Sequence, residues 1–195
     1  MTYKNQQQET TIRYGNIYLI LDFRRLWQDL AMWNSNYVTS IMADYGDATA
    51  TGERLYSVPL EFGNRIRMIF GDQAADTIIN LLSQHIILMM TMATAIKNGD
   101  QETVSSNTAQ LYANADELAA YLDQINAFWD DRQWRYLLYN YIRLNLNRMV
   151  ALAEGDFEES VKINDRLTYQ ALQMADYMSN GIIQYLHILN TPPVS

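Results

Sequence analysis

Two histidines, His85 and His187, and no cysteine leave this chain few side chains able to act as metal ligands or nucleophiles. A histidine-rich metal site, a thiolate site and a cysteine nucleophile are excluded at once. His85 is the more informative of the two. On a helical wheel of about 100° per residue it shares a stripe with Ile78, Leu82, Met89, Met92 and Ile96, away from the polar face of Thr77, Asn80, Gln84 and Thr91. It therefore points into an apolar environment, where burial lowers its pKa and favours the neutral ring. A neutral imidazole there either bridges polar groups, such as a neighbouring Tyr or Asn, or binds metal. Tyr141 occupies the corresponding place on a later helical segment, followed along the same face by Asn145 and Arg148. A first helical segment carries Leu30, Asn34 and Tyr37 on the comparable face. If these segments line one core, then Asn34, Tyr37, His85, Tyr141, Asn145 and Arg148 form a buried polar pocket. A buried guanidinium is costly without an anion, so Arg148 calls for a carboxylate such as Asp176 or for a small anionic ligand. Otherwise it snorkels to solvent.

Other chemistries find no support. There is no Gly-rich phosphate loop, no Gly-x-Ser-x-Gly elbow and no Glu-x-x-His pair of the kind that di-iron bundles use. Asp130-Asp131 and Glu158-Glu159 look like paired carboxylates but fall in first helical turns, where acids complement the helix dipole. The tryptophans Trp27, Trp33, Trp129 and Trp134 read as large packing residues, and Met89, Met90 and Met92 as core filling.

The elements that position these residues are announced by their joints. Gly-Asp occurs at 46–47, 71–72, 99–100 and 155–156, each time between helical stretches. Gly suits the left-handed stop of one helix and Asp the start of the next. Asp130 with Gln133, and Asp156 with Glu159, have capping-box spacing. The pattern predicts helices over 16–42, 50–69 (broken or kinked at Pro59), 72–97, 100–125, 130 onward and 156–188. Residues 1–15 read as a flexible tail before a single domain over 16–190. Residues 81–122 also match 137–178 at a constant offset of 56, with 12 of 42 positions identical, among them Leu81/Leu137, Gly99/Gly155 and Ala115/Ala171. The fold class is all-α: an up-and-down bundle of about six helices, built from three pseudo-repeated helical hairpins.

Composition bounds the partners. A formal net charge of −8 argues against a nucleic-acid or anionic-membrane surface. The most apolar stretch, 78–96, is interrupted by Asn80, Gln84 and His85 and reads as a buried helix, not a membrane span. A polar N-terminus without an apolar run, and the absence of cysteine, fit a cytoplasmic protein.

The strings FRRLWQDLAMW, LLSQHIILMM, AIKNGD, LYANADELAAYLDQIN and ALQMADYMSNGIIQYL resemble a family of small all-helical bacterial proteins with no established activity. The resemblance covers most of residues 20–187. It implies an acid-His pair at one place in each hairpin, and descent from a metal-binding bundle of ferritin-like or hemerythrin-like character. Here those places read Asp29-Leu30, Gln84-His85 and Asn140-Tyr141, so one acid and one histidine stand where three of each would. Some relatives carry an acetylglutamate kinase label, yet this chain has nothing that would hold phosphates and Mg²⁺. The reading is a non-catalytic binding or interaction protein without a cofactor, self-associating as a homodimer through an exposed aromatic or Met-rich helix face. The alternative is a divergent bundle of the metal-binding type whose internal polar pocket holds a small anionic ligand.

Overall fold

A computed structural model describes residues 14–189, and within them the chain is six helices without a strand. They are α1 (Tyr14–Met42), α2 (Ala48–Phe70), α3 (Asp72–Asn98), α4 (Gln101–Ile125), α5 (Asp131–Ala153) and α6 (Phe157–Leu189). The all-α bundle expected from periodicity is what the chain forms. Of the tail expected over 1–15, residues 1–13 lie outside the described residues, whereas Tyr14 and Gly15 already belong to α1.

Neighbouring helices pack in chain order and α6 closes the ring against α1. The odd helices also touch one another, α1 with α3, α1 with α5 and α3 with α5. They form an inner triangle, and each even helix covers the seam between two of them. This arrangement follows from apolar width. α3 buries Ile78, Leu82, His85, Met89 and Met92 along one stripe and Ala75, Leu81 and Ile86 beside it, enough to face two partners and a cover. By length and composition α3 would also be apolar enough to cross a membrane, and half of its most apolar window is buried inside the bundle.

The joints are less alike than their sequences. At Gly99 and Gly155 the backbone is left-handed (φ 69° and 76°). There Asp100 N–H reaches back to the Ala95 carbonyl and Asp156 N–H to that of Ala151, the long bond of a Schellman stop. Asp100, Asp130 and Asp156 then accept backbone N–H bonds from Thr103, Gln133 and Glu159. The other two joints depart from the expectation. Asp47 precedes α2 with no side-chain cap bond, and Gly71, not Asp72, is the residue that caps α3. At the first joint the left-handed turn falls on Asp44, which pairs with Lys97, while the Lys97 ammonium also donates to the Ile41 carbonyl at 2.7 Å. Nor is α2 broken at Pro59. The helix runs through it with Pro59 buried, because flanking Leu55, Val58 and Phe62 are locked into the core and outweigh one missing N–H bond.

An aromatic cluster fills one end. Trp27 stacks on Trp134 at 6.2 Å, Trp134 meets Trp129 and Tyr177 edge-on, and the Trp129 indole donates to the Met178 carbonyl. Trp33 is different: it is half-buried and lies under the Arg54 guanidinium, 5.3 Å from the ring centroid.

Candidate functional site

The inner triangle brings four of the six sequence-derived residues together. Asn34 of α1 donates its amide to Asn145 Oδ1 of α5 at 2.6 Å, and Asn145 Nδ2 donates to the Tyr141 carbonyl at 2.9 Å. The His85 ring of α3 faces the Tyr141 ring with centroids 6.5 Å apart. All of these side chains are buried.

His85 is held by a residue the sequence did not single out. Asn114 of α4 donates Nδ2 to the Leu81 carbonyl at 3.0 Å, which turns its Oδ1 toward His85 Nδ1, also at 3.0 Å. An oxygen acceptor requires Nδ1 to carry the proton, so Nε2 is the bare nitrogen. Nε2 has no partner, and neither does the Tyr141 hydroxyl. Burial holds the His85 pKa down to about 4, against a small opposing pull from Asn114. Burial also raises that of Tyr141, which the nearby Asn145 amide opposes in part. The core at neutral pH is thus uncharged here, a neutral imidazole beside a neutral phenol.

Tyr37 does not join this cluster. It is buried, but it lines a separate groove of about 580 Å³ with Ile41, Gly52, Tyr56 and Met90, between α1, α2 and α3. A Cβ at Gly52 would come within 3.2 Å of the Tyr37 ring and 3.1 Å of Met90, a tight approach.

Arg148 is the charged member. Its residue exposure is 9%, so it does not snorkel to solvent. Asp176 is not its partner either: that carboxylate is gripped by Arg24 through two bonds of 2.6 and 2.8 Å. Arg148 instead crosses to α1, donating from Nη2 to Thr39 Oγ1 at 2.9 Å and from Nη1 to the Ser35 carbonyl at 3.3 Å. Its Nε is buried without a partner. No carboxylate pairs with it among the described residues, and burial lowers its pKa from the usual range. Arg148 forms part of the lining of a groove of about 500 Å³ between α1 and α6, with Asp29, Met32, Asn36, Asn164 and Leu167 around it. Ser35, Thr39 and Asn164 were missed from the sequence. Ser35 and Thr39 are one turn apart on α1 beside Asn34, so a modest rotation of the wheel finds them. Asn164 carries no local signal.

The acid-His places fall into two layers. Leu30, His85 and Tyr141 are in the core, whereas Asp29, Gln84 and Asn140 line three different grooves. Among the described residues no three His, Cys, Asp or Glu side chains gather to hold a metal ion. No family model, no curated protein and no solved structure matches the chain.

Proposed function

We propose that this chain is a binding protein that holds a small organic anion in the α1/α6 groove, with Arg148 supplying the charge. The observation that carries this reading is a nine-tenths buried arginine without a carboxylate partner among the described residues, lining a groove large enough for a small molecule. A cation left in that state weakens the fold unless an anion comes to it. The buried amides of Asn34 and Asn145 stiffen the α1–α5 seam on which the guanidinium rests. Three hairpins of one ancestral type supply the frame. In support, Asn114 donates to the Leu81 carbonyl and Gln170 to the Leu137 carbonyl, so both partners are shifted by the same 56 residues.

Native mass spectrometry on protein purified without chelator is the test. The expected result is an adduct of organic-anion mass on the wild type that Arg148→Met abolishes without unfolding the chain. A bare subunit mass, with no thermal stabilisation by any organic anion, would sink the reading. A second reading, self-association as a homodimer, rests on Ile17, Tyr18 and Leu21 standing exposed near the start of α1. The same spectra count subunits and decide it.

A further inference from the structure

The hydrogen bonds around Arg148 define which part of the guanidinium is left for a ligand. Nη1 donates to the Ser35 carbonyl and Nη2 to Thr39 Oγ1. Thr39 Oγ1 in turn donates to that same Ser35 carbonyl at 2.9 Å. The end of the guanidinium thus straddles two acceptors that are bonded to each other, and its end-on pair of N–H groups is used. What is left is the second N–H of each of Nη1 and Nη2, while the Nε–H is sealed inside the protein without a partner among the described residues.

The surroundings set the charge of the ligand. Asp29 stands on the groove wall. The two nearby arginines are already committed: Arg25 to Asp29 and Glu61 at 2.8 and 3.1 Å, and Arg54 to Glu61 at 2.9 Å with Asp29 at 3.7 Å. Two cations and two anions cancel there, so Arg148 alone is the unmatched charge. A second negative charge on the ligand would meet Asp29 and a chain of net charge −8. The rest of the lining is neutral. Ser35 Oγ donates to Asn164 Oδ1 at 2.5 Å across α1 and α6, which leaves Asn164 Nδ2 as a donor, while Met32 and Leu167 offer apolar contact.

We propose that the groove takes a monocarboxylate with an uncharged, carbonyl-bearing tail, the carboxylate against the Arg148 guanidinium and the tail toward Asn164. This rests on the anion reading above and narrows it to one chemical class. Succinamate and succinate make the matched pair, since they differ by an amide in place of one carboxylate.

Isothermal titration of the full chain with succinamate, succinate, butyrate and inorganic phosphate tests it. Succinamate should bind about tenfold or more tightly than succinate or phosphate, and more tightly than butyrate, which lacks the tail carbonyl. Arg148→Met removes the charge, so it should weaken succinamate about tenfold or more. Asp29→Asn should narrow the gap between succinamate and succinate, and circular dichroism should show both variants folded. Succinate or phosphate binding as tightly as succinamate would overturn the monocarboxylate assignment and leave the anion groove standing. Binding unaffected by Arg148→Met, or no binding of any of the four compounds, would overturn both.

Discussion

The α3/α4 hairpin and the α5/α6 hairpin have similar joints and one similar bond between their helices, and differ in what they bury. In each, an amide on the second helix donates to a carbonyl 33 residues earlier on the first, Asn114 to Leu81 and Gln170 to Leu137. In each, a left-handed Gly and a capping Asp make the joint. Yet where α3 buries Met89 and Met92, α5, 56 residues on, buries Asn145 and Arg148. Methionines at those places show that this kind of helix packing does not itself demand polar groups. An amide and a guanidinium in the same setting cost desolvation that methionine does not. His85 and Tyr141 are the converse case. Both are buried rings at matching places, but only His85 has a partner, Asn114, while the shifted equivalent Gln170 bonds the backbone alone.

The largest expected effect exploits that difference through pH. No charged group among the described residues acts on His85, and burial holds its pKa at about 4. Below pH 6.5 the unfolded chain takes a proton on this ring that the folded chain refuses until about pH 4. Stability should therefore fall as pH drops through that window, by about 3 kcal/mol in all, and not further below it. Urea unfolding of the wild type and of His85→Gln, at pH 7.5 and pH 4, isolates the contribution. If the pH-dependent loss is the same in both proteins, the ring is not buried neutral. Next in size is the Asn34–Asn145 pair. Asn145→Met imports the residue found at position 89 but strands the buried Asn34 amide, at a cost of about 2 kcal/mol. Asn34→Leu with Asn145→Met removes both partners and should recover most of that loss. A double variant no better than the single would mean that α5 cannot accept the apolar filling of α3.

Arg148→Met is the corresponding exchange for position 92, and its sign is opposite. The Ser35 carbonyl keeps its bond from Thr39, so nothing buried is orphaned. Removing an unpaired buried cation should raise stability by roughly 1–2 kcal/mol while ending anion binding. A loss of stability instead would make Arg148 a structural strut and remove the main support for the groove.

Much of this was legible in the chain, and the reasons are physical. Helix limits were readable because capping chemistry is local: Asp130, Asp156 and Gly155 act on residues within five positions. The shared core of Asn34, His85, Tyr141 and Asn145 followed from wheel geometry, since a 3.6-residue period fixes which side chains share a face. Tyr37 was misplaced because three residues of helix leave it about 60° from Asn34, enough to enter the neighbouring seam. Asn114 as the partner of His85, Asn164 on the groove and the claim of Arg24 on Asp176 depend on register between different helices. No local pattern encodes that register.

The joints carry the smallest contrast and the sharpest test of reading Gly-Asp as one signal. Asp156 accepts the Glu159 N–H at 3.0 Å, whereas Asp47 accepts none through its side chain. Asp156→Ala should therefore cost about 1 kcal/mol, and Asp47→Ala only a few tenths, although both remove an Asp after a Gly. The distinction comes from the residue before each Asp. Gly155 turns left-handed and delivers the Asp156 side chain to the new helix, while at the first joint Asp44 makes that turn three residues before Asp47. Equal losses from the two substitutions would mean that the Asp47 carboxylate does cap α2 in solution. The dipeptide would then be a sufficient signal whatever the conformation of its glycine.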